Sequence, residues 1–312
     1  MCGLFGFSSY SGLPIKDLSD LTNALAEQSA VRGIDATGIA FCKSGNINII
    51  KEPKSAYAID FKHSDDICAL IGHTRHSTQG DNKKNFNNHP FFGKAKGTRF
   101  ALAHNGVLMN DDTLKESLHL PKTKIETDSY VAVQLIESRK EFSIKSIRYM
   151  AESVMGSFSF SILDDKRNLY LVKGDSPLEI LHFPKHKIYV YASTENILYK
   201  ALVDTYLFDA LKKGGFESVP IEEGEILKIQ PNGNLERHNF QYSIHCGKYW
   251  WEYSPHTVKV AQNDNEHSDY LDTLRTMALF MGLPAESVDE LLREGFSLDE
   301  VEEYLYDYEC YC

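Results

Sequence analysis

This chain has no apolar run of about 18 residues, the length a helix needs to cross a bilayer, so no membrane-spanning helix is expected. Its N-terminus lacks the basic stretch and long apolar core of a secretory signal. Cysteine is sparse: six in 312 residues, at positions 2, 42, 68, 246, 310 and 312, which does not make a disulfide framework in a chain of this size. A reducing, cytoplasmic setting is therefore expected. Basic residues are not in excess, and the net charge is −11. What is present, 42% hydrophobic and 25% charged residues, is enough to bury a substantial core in one large domain or two ordinary ones.

The charge is unevenly spread. Residues 261–312 hold 14 acidic and 2 basic side chains, a balance of −12, whereas the other 260 residues hold 30 acidic and 31 basic, a balance of +1. A nearly neutral body with an acidic tail predicts a separate C-terminal module and argues against nucleic-acid binding there. Within the tail, Tyr270, Leu274, Met277, Ala278 and Met281 form one helical stripe. A 13-residue repeat follows, in which Gly282 to Leu292 matches Gly295 to Leu305, and Ser297 with Glu300 forms a capping-box pattern. The expected division is 2–245 for the main domain, 246–265 for a linker and 266–312 for a small acidic three-helix module. That module's apolar stripe and high charge suit docking to a partner.

The periodicity of the body predicts strands over 2–8, 38–43 and 46–51 (a hairpin at Ser44-Gly45), 67–74, 99–103, and then 157–163, 169–172, 178–182 and 188–192 in meander order. Helices are predicted over 13–31, from a Thr127 cap onward, over 143–154 and over 194–210. A closing hairpin, 224–229 with 235–240, turns at Asn232-Gly233. Strands, two central helices, then strands again fit an α+β fold better than an alternating parallel one.

The chemistry-bearing residues sit where predicted strands end. Cys2 follows the initiator methionine, and loss of Met1 would leave a thiol and a free α-amine on one residue, a nucleophile with its own base. Asn105 and Gly106 offer a side-chain amide and a backbone N–H side by side, as a tetrahedral oxyanion requires. Arg75 suits a carboxylate, and Asp128 suits an ammonium. Together these groups fit an α-amino acid with a side-chain amide. His73, His89 and His104 lack a tight metal-ligand spacing and read as structural, so neither a metal nor a cofactor is expected.

Cys2-Gly3-Leu4-Phe5-Gly6, Arg32-Gly33-Ile34-Asp35-Ala36-Thr37-Gly38, Gly72-His73-Thr74-Arg75, Asn88-His89-Pro90-Phe91, His104-Asn105-Gly106 and Thr127-Asp128 occur in that order. In this respect the chain resembles the class II glutamine amidotransferases, N-terminal-nucleophile hydrolases, over about residues 2–240. The resemblance implies a four-layer αββα sandwich of two antiparallel sheets. It implies that Cys2 attacks the side-chain amide of glutamine, that Asn105 and Gly106 hold the oxyanion, that Arg75 and Thr78 hold the substrate carboxylate, and that Asp128 holds its ammonium. Arg32, His73 and His104 are supporting candidates. The sequence departs from the family at His76 and Gln79, where Trp and His are usual, and at Tyr130, where Glu is usual. The resemblance also implies a free-standing glutaminase subunit that passes ammonia to a separate synthetase or amide ligase. Two alternatives remain at this stage: a γ-glutamyl hydrolase with the same nucleophile, and a binding protein on a retired hydrolase fold.

Overall fold

The computed structural model describes residues 2–12, 17–64 and 67–242, and, further on, residues 271, 274, 275, 278, 283, 284, 286–293 and 301. The chain divides into two compact units, 1–249 and 250–312.

Two antiparallel sheets make the first unit. One runs β11(Glu217–Ser218), β9(Glu179–Phe183), β10(Ile188–Ala192), β1(Gly3–Ser9), β4(Ala69–Arg75), β2(Ala36–Lys43), β3(Asn46–Glu52). The other runs β13(Leu235–Asn239), β12(Glu225–Ile229), β8(Leu169–Lys173), β7(Gly156–Asp164), β6(Thr98–Leu108), β5(Phe91–Ala95). Alternation along the strands explains the layers, because successive side chains leave a sheet on opposite faces. Leu4, Ala40 and Ile71 of the first sheet join one buried cluster with Ala101, Ala103 and Leu171 of the second. Their chain neighbours Phe5, Ile39 and Leu70 cluster instead with Leu21 and Leu25 of α1(Leu18–Ser29) and with Leu198 of α5(Glu195–Leu202). Phe100, Leu102 and Phe160 cluster with Val131 and Leu135 of α3(Tyr130–Ser138) and Ile147 of α4(Ile144–Ser153). Both faces of both sheets are thus covered, giving the expected αββα order. Full burial of each large side chain contributes about 1.5–3 kcal/mol.

The structure corrects several sequence expectations. β5 and the short helix α2(Asp111–Ser117) were not anticipated. His104-Asn105-Gly106 lies inside the eleven-residue β6, paired to β7, rather than at a strand end. The meander is broken: β7 pairs with β8 and β9 with β10, but β8 and β9 belong to different sheets. The crossing segment is pinned to β7, where Phe158 N–H donates to Asp175 Oδ1 (2.9 Å) and Ser159 Oγ to Ser176 O (2.6 Å). The single helix expected over 194–210 is α5 followed by α6(Phe208–Lys212). Thr205 divides them, its hydroxyl donating to Leu202 O (2.9 Å) and accepting from Leu207 N–H (3.3 Å), local bonds that compete with helix continuation. Helix α3 starts at Tyr130 without a Thr127 cap. Helix α1 starts at Leu18, and residues 13–16 lie outside the described residues.

In the second unit, α7(Glu286–Arg293) contributes Val288 to a buried cluster with Leu274, Ala278 and Val301, and Asp289 pairs with Arg275 at 2.6 Å. The expected linker, Tyr270, Met277, Met281, the Ser297/Glu300 box and Cys310 and Cys312 fall outside the described residues. Among the described residues no helix is long and apolar enough to cross a membrane.

Candidate active site

Cys2 stands at the head of β1, a central strand, between β10 and β4. Gly3 beside it faces Thr74, and a Cβ there would lie 2.5 Å from Thr74 Oγ1 and 3.1 Å from Ser29 O. No other residue fits this gap without moving its neighbours. Arg32 Nε donates to Cys2 O (2.8 Å). Leu4 N–H donates to Ser193 Oγ (2.8 Å), and Ser193 N–H donates back to Leu4 O (2.9 Å). The backbone that carries the thiol is therefore held on both sides. Burial pushes the Cys2 thiol up from its ordinary value; the His76 N–H, 3.4 Å from Sγ, and the Arg75 charge pull it down.

Arg75 ends β4 and is buried. Its Nη1 donates to Asn88 Oδ1 (2.7 Å), and its Nη2 to Gln79 O (2.5 Å) and Gly80 O (3.0 Å). Three of the five N–H groups of a guanidinium are thereby engaged with the segment that follows. Asp35 fixes the near end of that segment, accepting Ser77 N–H at Oδ2 (2.7 Å) and donating its own N–H to Arg75 O (3.0 Å). Lys51 holds the far end, its Nζ donating to Asn88 O (2.5 Å) and Pro90 O (3.1 Å). Burial, with Arg75 nearby, lowers Lys51 to about 8.

On the second sheet, Asn105 and Gly106 pair with Ser159 and Phe158 of β7. Asn105 is 1% exposed, and its Nδ2 has no hydrogen-bond partner among the described residues. An orphaned buried donor of this kind calls for an acceptor. Gly106 has φ +132°, and a Cβ there would fall 2.0 Å from Ser157 O. Asp128 accepts Leu108 N–H at Oδ2 (2.7 Å) and faces Ser129 Oγ at Oδ1 (3.2 Å). Its carboxylate is turned toward the site, which is why it does not serve α3.

Three histidines join the sheets beneath this region. His73 Nε2–H donates to His104 O (2.9 Å), His73 stacks on His89 at 4.1 Å between ring centroids, and His104 stacks on Phe160 at 4.7 Å. Burial lowers all three below the ordinary imidazole value, His73 to about 3, so each is neutral at pH 7. Among the described residues no group of three or more His, Cys, Asp or Glu is arranged to hold a metal ion.

Cys2, Arg75, Thr78, Gly106 and Asp128 line one open recess, joined by His104 and Ser129 among others. Six sequence-predicted residues, His104 among them, from four separate segments thus meet. Arg32, His73 and Asn105 are not lining residues: Arg32 holds the Cys2 carbonyl, His73 lies under the recess, and Asn105 is buried next to Gly106. Sequence reasoning assigned no role to Asp35, Lys51, Asn88, Ser129 or Ser193. Asp35 and Asn88 lay within quoted motifs, whereas Lys51 carried no signal because only the sheet brings it to Asn88. Chemically, the recess offers a thiol and groups of both charges to one small amphoteric molecule, with the buried amide of Asn105 next to its lining residue Gly106.

Residues 73–200 match the model of a family described as the glutamine amidotransferase domain. Over 191 residues the chain is 35% identical to a glutamine–fructose-6-phosphate aminotransferase (isomerizing) of Staphylococcus aureus, covering 57% of this chain and 30% of that protein. The enzyme of the same name from Bacillus licheniformis is 30% identical over 190 residues, with the same coverage. The chain spans about a third of the length of these relatives. Among solved structures, a glutamine phosphoribosylpyrophosphate amidotransferase from B. subtilis aligns with TM-score 0.62 and 21% identity, covering 89% of this chain and 58% of that one. An allosteric regulatory enzyme of purine biosynthesis aligns with TM-score 0.61 and 20% identity over the same shares. At such identities the structural likeness speaks to the fold.

Proposed function

We propose that the body of this chain is a class II glutamine amidotransferase domain with the N-terminal-nucleophile hydrolase fold, and that it hydrolyses the side-chain amide of L-glutamine through Cys2. In this reading Cys2 Sγ attacks the amide carbon, and its proton passes to the α-amine that removal of Met1 would free. Asn105 Nδ2 and Gly106 N–H stabilise the oxyanion. The amine returns the proton to the departing nitrogen, and ammonia leaves. Water then cleaves the thioester to glutamate and restores the thiol. Arg75 and Thr78 take the substrate carboxylate and Asp128 its ammonium. The observation that carries this reading is the convergence of Cys2, Arg75, Thr78, Gly106 and Asp128 on one recess.

The ammonia goes, in this proposal, to a separate acceptor-activating enzyme in the cytoplasm, a synthetase or amide ligase. The acidic residues of 261–312, with a balance of −12, dock against a basic face of that partner. Titrating candidate partners against glutaminase activity tests the docking; a partner that binds equally well after removal of 250–312 refutes it.

Intact mass measured before and after 6-diazo-5-oxo-norleucine, an electrophile shaped like glutamine, tests the site. The expected result is loss of the Met1 mass and a single covalent adduct that Cys2→Ala does not form. Retained Met1 with no adduct overturns the proposal.

A further inference from the structure

Asp128 is flanked by a side chain that the proposed chemistry leaves idle. Ser129 Oγ lies 3.2 Å from Asp128 Oδ1 and 2.8 Å from His104 Nδ1. All three residues are more than nine-tenths buried, and all three line the recess. A serine hydroxyl has one hydrogen, so it donates to one of these neighbours only. Burial keeps His104 neutral, so that ring too has a single N–H to place. Its Nε2 has a distant alternative, Ser157 O at 3.4 Å. Two proton arrangements are therefore open. In one, His104 Nε2–H points to Ser157 O, Ser129 donates to His104 Nδ1, and Asp128 Oδ1 faces a bare hydroxyl oxygen. In the other, His104 Nδ1–H donates to Ser129, and Ser129 donates to Asp128. The second satisfies a carboxylate rather than a neutral nitrogen, and hydrogen bonds to charged groups are worth roughly twice those between neutral ones. It also uses the shorter of the two contacts open to His104.

We propose that Ser129 and His104 are positioning residues for the substrate ammonium, acting through the directed chain His104 Nδ1–H to Ser129 Oγ–H to Asp128 Oδ1. With Leu108 N–H on Oδ2 (2.7 Å), this chain fixes the carboxylate plane from both oxygens and leaves its remaining lone pairs toward the recess. The inference rests on the proposed binding of glutamine and names how that site recognises an α-amino group.

Two measurements test it. The first is the binding of L-glutamine and of its desamino counterpart, glutaramic acid, to the full-length Cys2→Ala protein, where no turnover occurs. Adding Ser129→Ala should weaken glutamine binding by roughly 3- to 10-fold, the loss of one hydrogen bond, and leave glutaramic acid unchanged, while Ser129→Thr restores the glutamine value. An equal loss for both ligands, or none for either, overturns the inference. If neither ligand binds Cys2→Ala even with Ser129 intact, the glutamine reading itself fails and takes the inference with it. The second measurement needs no variant at Ser129: long-range 1H–15N spectra of the full chain report the tautomer of His104, assigned with His104→Gln. The Nδ1–H form is expected. The Nε2–H form would show Ser129 donating away from Asp128 and would also overturn the inference.

Discussion

Replacing Gly3 by alanine should show how closely the nucleophile is held. The added methyl meets Thr74 Oγ1 at 2.5 Å, and Thr74 is itself committed to Ser29 O (2.7 Å). Relief requires β1 to move against β4, at a cost of about 1–3 kcal/mol, as for other overpacked sites. Urea unfolding of the Gly3→Ala protein should show that loss. Its Cys2 should also react more slowly with the diazo electrophile, because Cys2 is the adjacent residue. Unchanged stability and reactivity would mean that the head of β1 is loosely packed. At this scale much was legible. Cys2, Arg75 and Asp128 announced themselves by chemistry, and Gly106 by its neighbour Asn105. Lys51 did not, because a lysine in an ordinary hairpin strand has no local mark of the backbone carbonyls it will meet.

Elements set the state of the buried histidines. His73 comes from β4, His104 from β6, and His89 from the segment before β5, so the trio exists only when the two sheets face each other. Each has its folded-state value lowered by burial, His73 to about 3. Below about pH 6.5, where free imidazole takes up a proton, the unfolded chain binds protons that the folded one refuses. Stability is thus fully present above that pH and is lost as the pH falls toward 3. Each group contributes a slope of up to about 1.4 kcal/mol per pH unit in that window. Urea melts from pH 7.5 to 4.5 should show this fall, and His73→Phe should reduce its slope. A flat profile would mean that the histidines are charged in the fold. The strands themselves were mostly readable from alternation. β5 was missed because five residues after a polar loop carry little pattern. The split between α5 and α6 was missed because a single threonine hydroxyl, not a Gly or Pro, ends the helix.

For the whole molecule, the two compact units have their own apolar clusters, and the nearly neutral body contrasts with the acidic tail. Deleting 250–312 should leave the melting temperature of the body and the labelling of Cys2 nearly unchanged, since each unit has a buried apolar cluster of its own. Scanning calorimetry and intact mass of the shortened chain check this. A large fall in melting temperature would show that the tail stabilises the body.

The sequence by itself determined the chemistry on offer, the alternating strands that make two sheets, and the charge division, because these depend on residue type and on contacts between near neighbours. The tertiary structure alone decided which sheet each strand joins, that Asn105 lies within a strand with its amide unpartnered among the described residues, and that Ser129 meets His104 and Asp128. Those outcomes depend on side chains from distant segments competing for the same hydrogen bonds and the same buried space. No local periodicity records that competition.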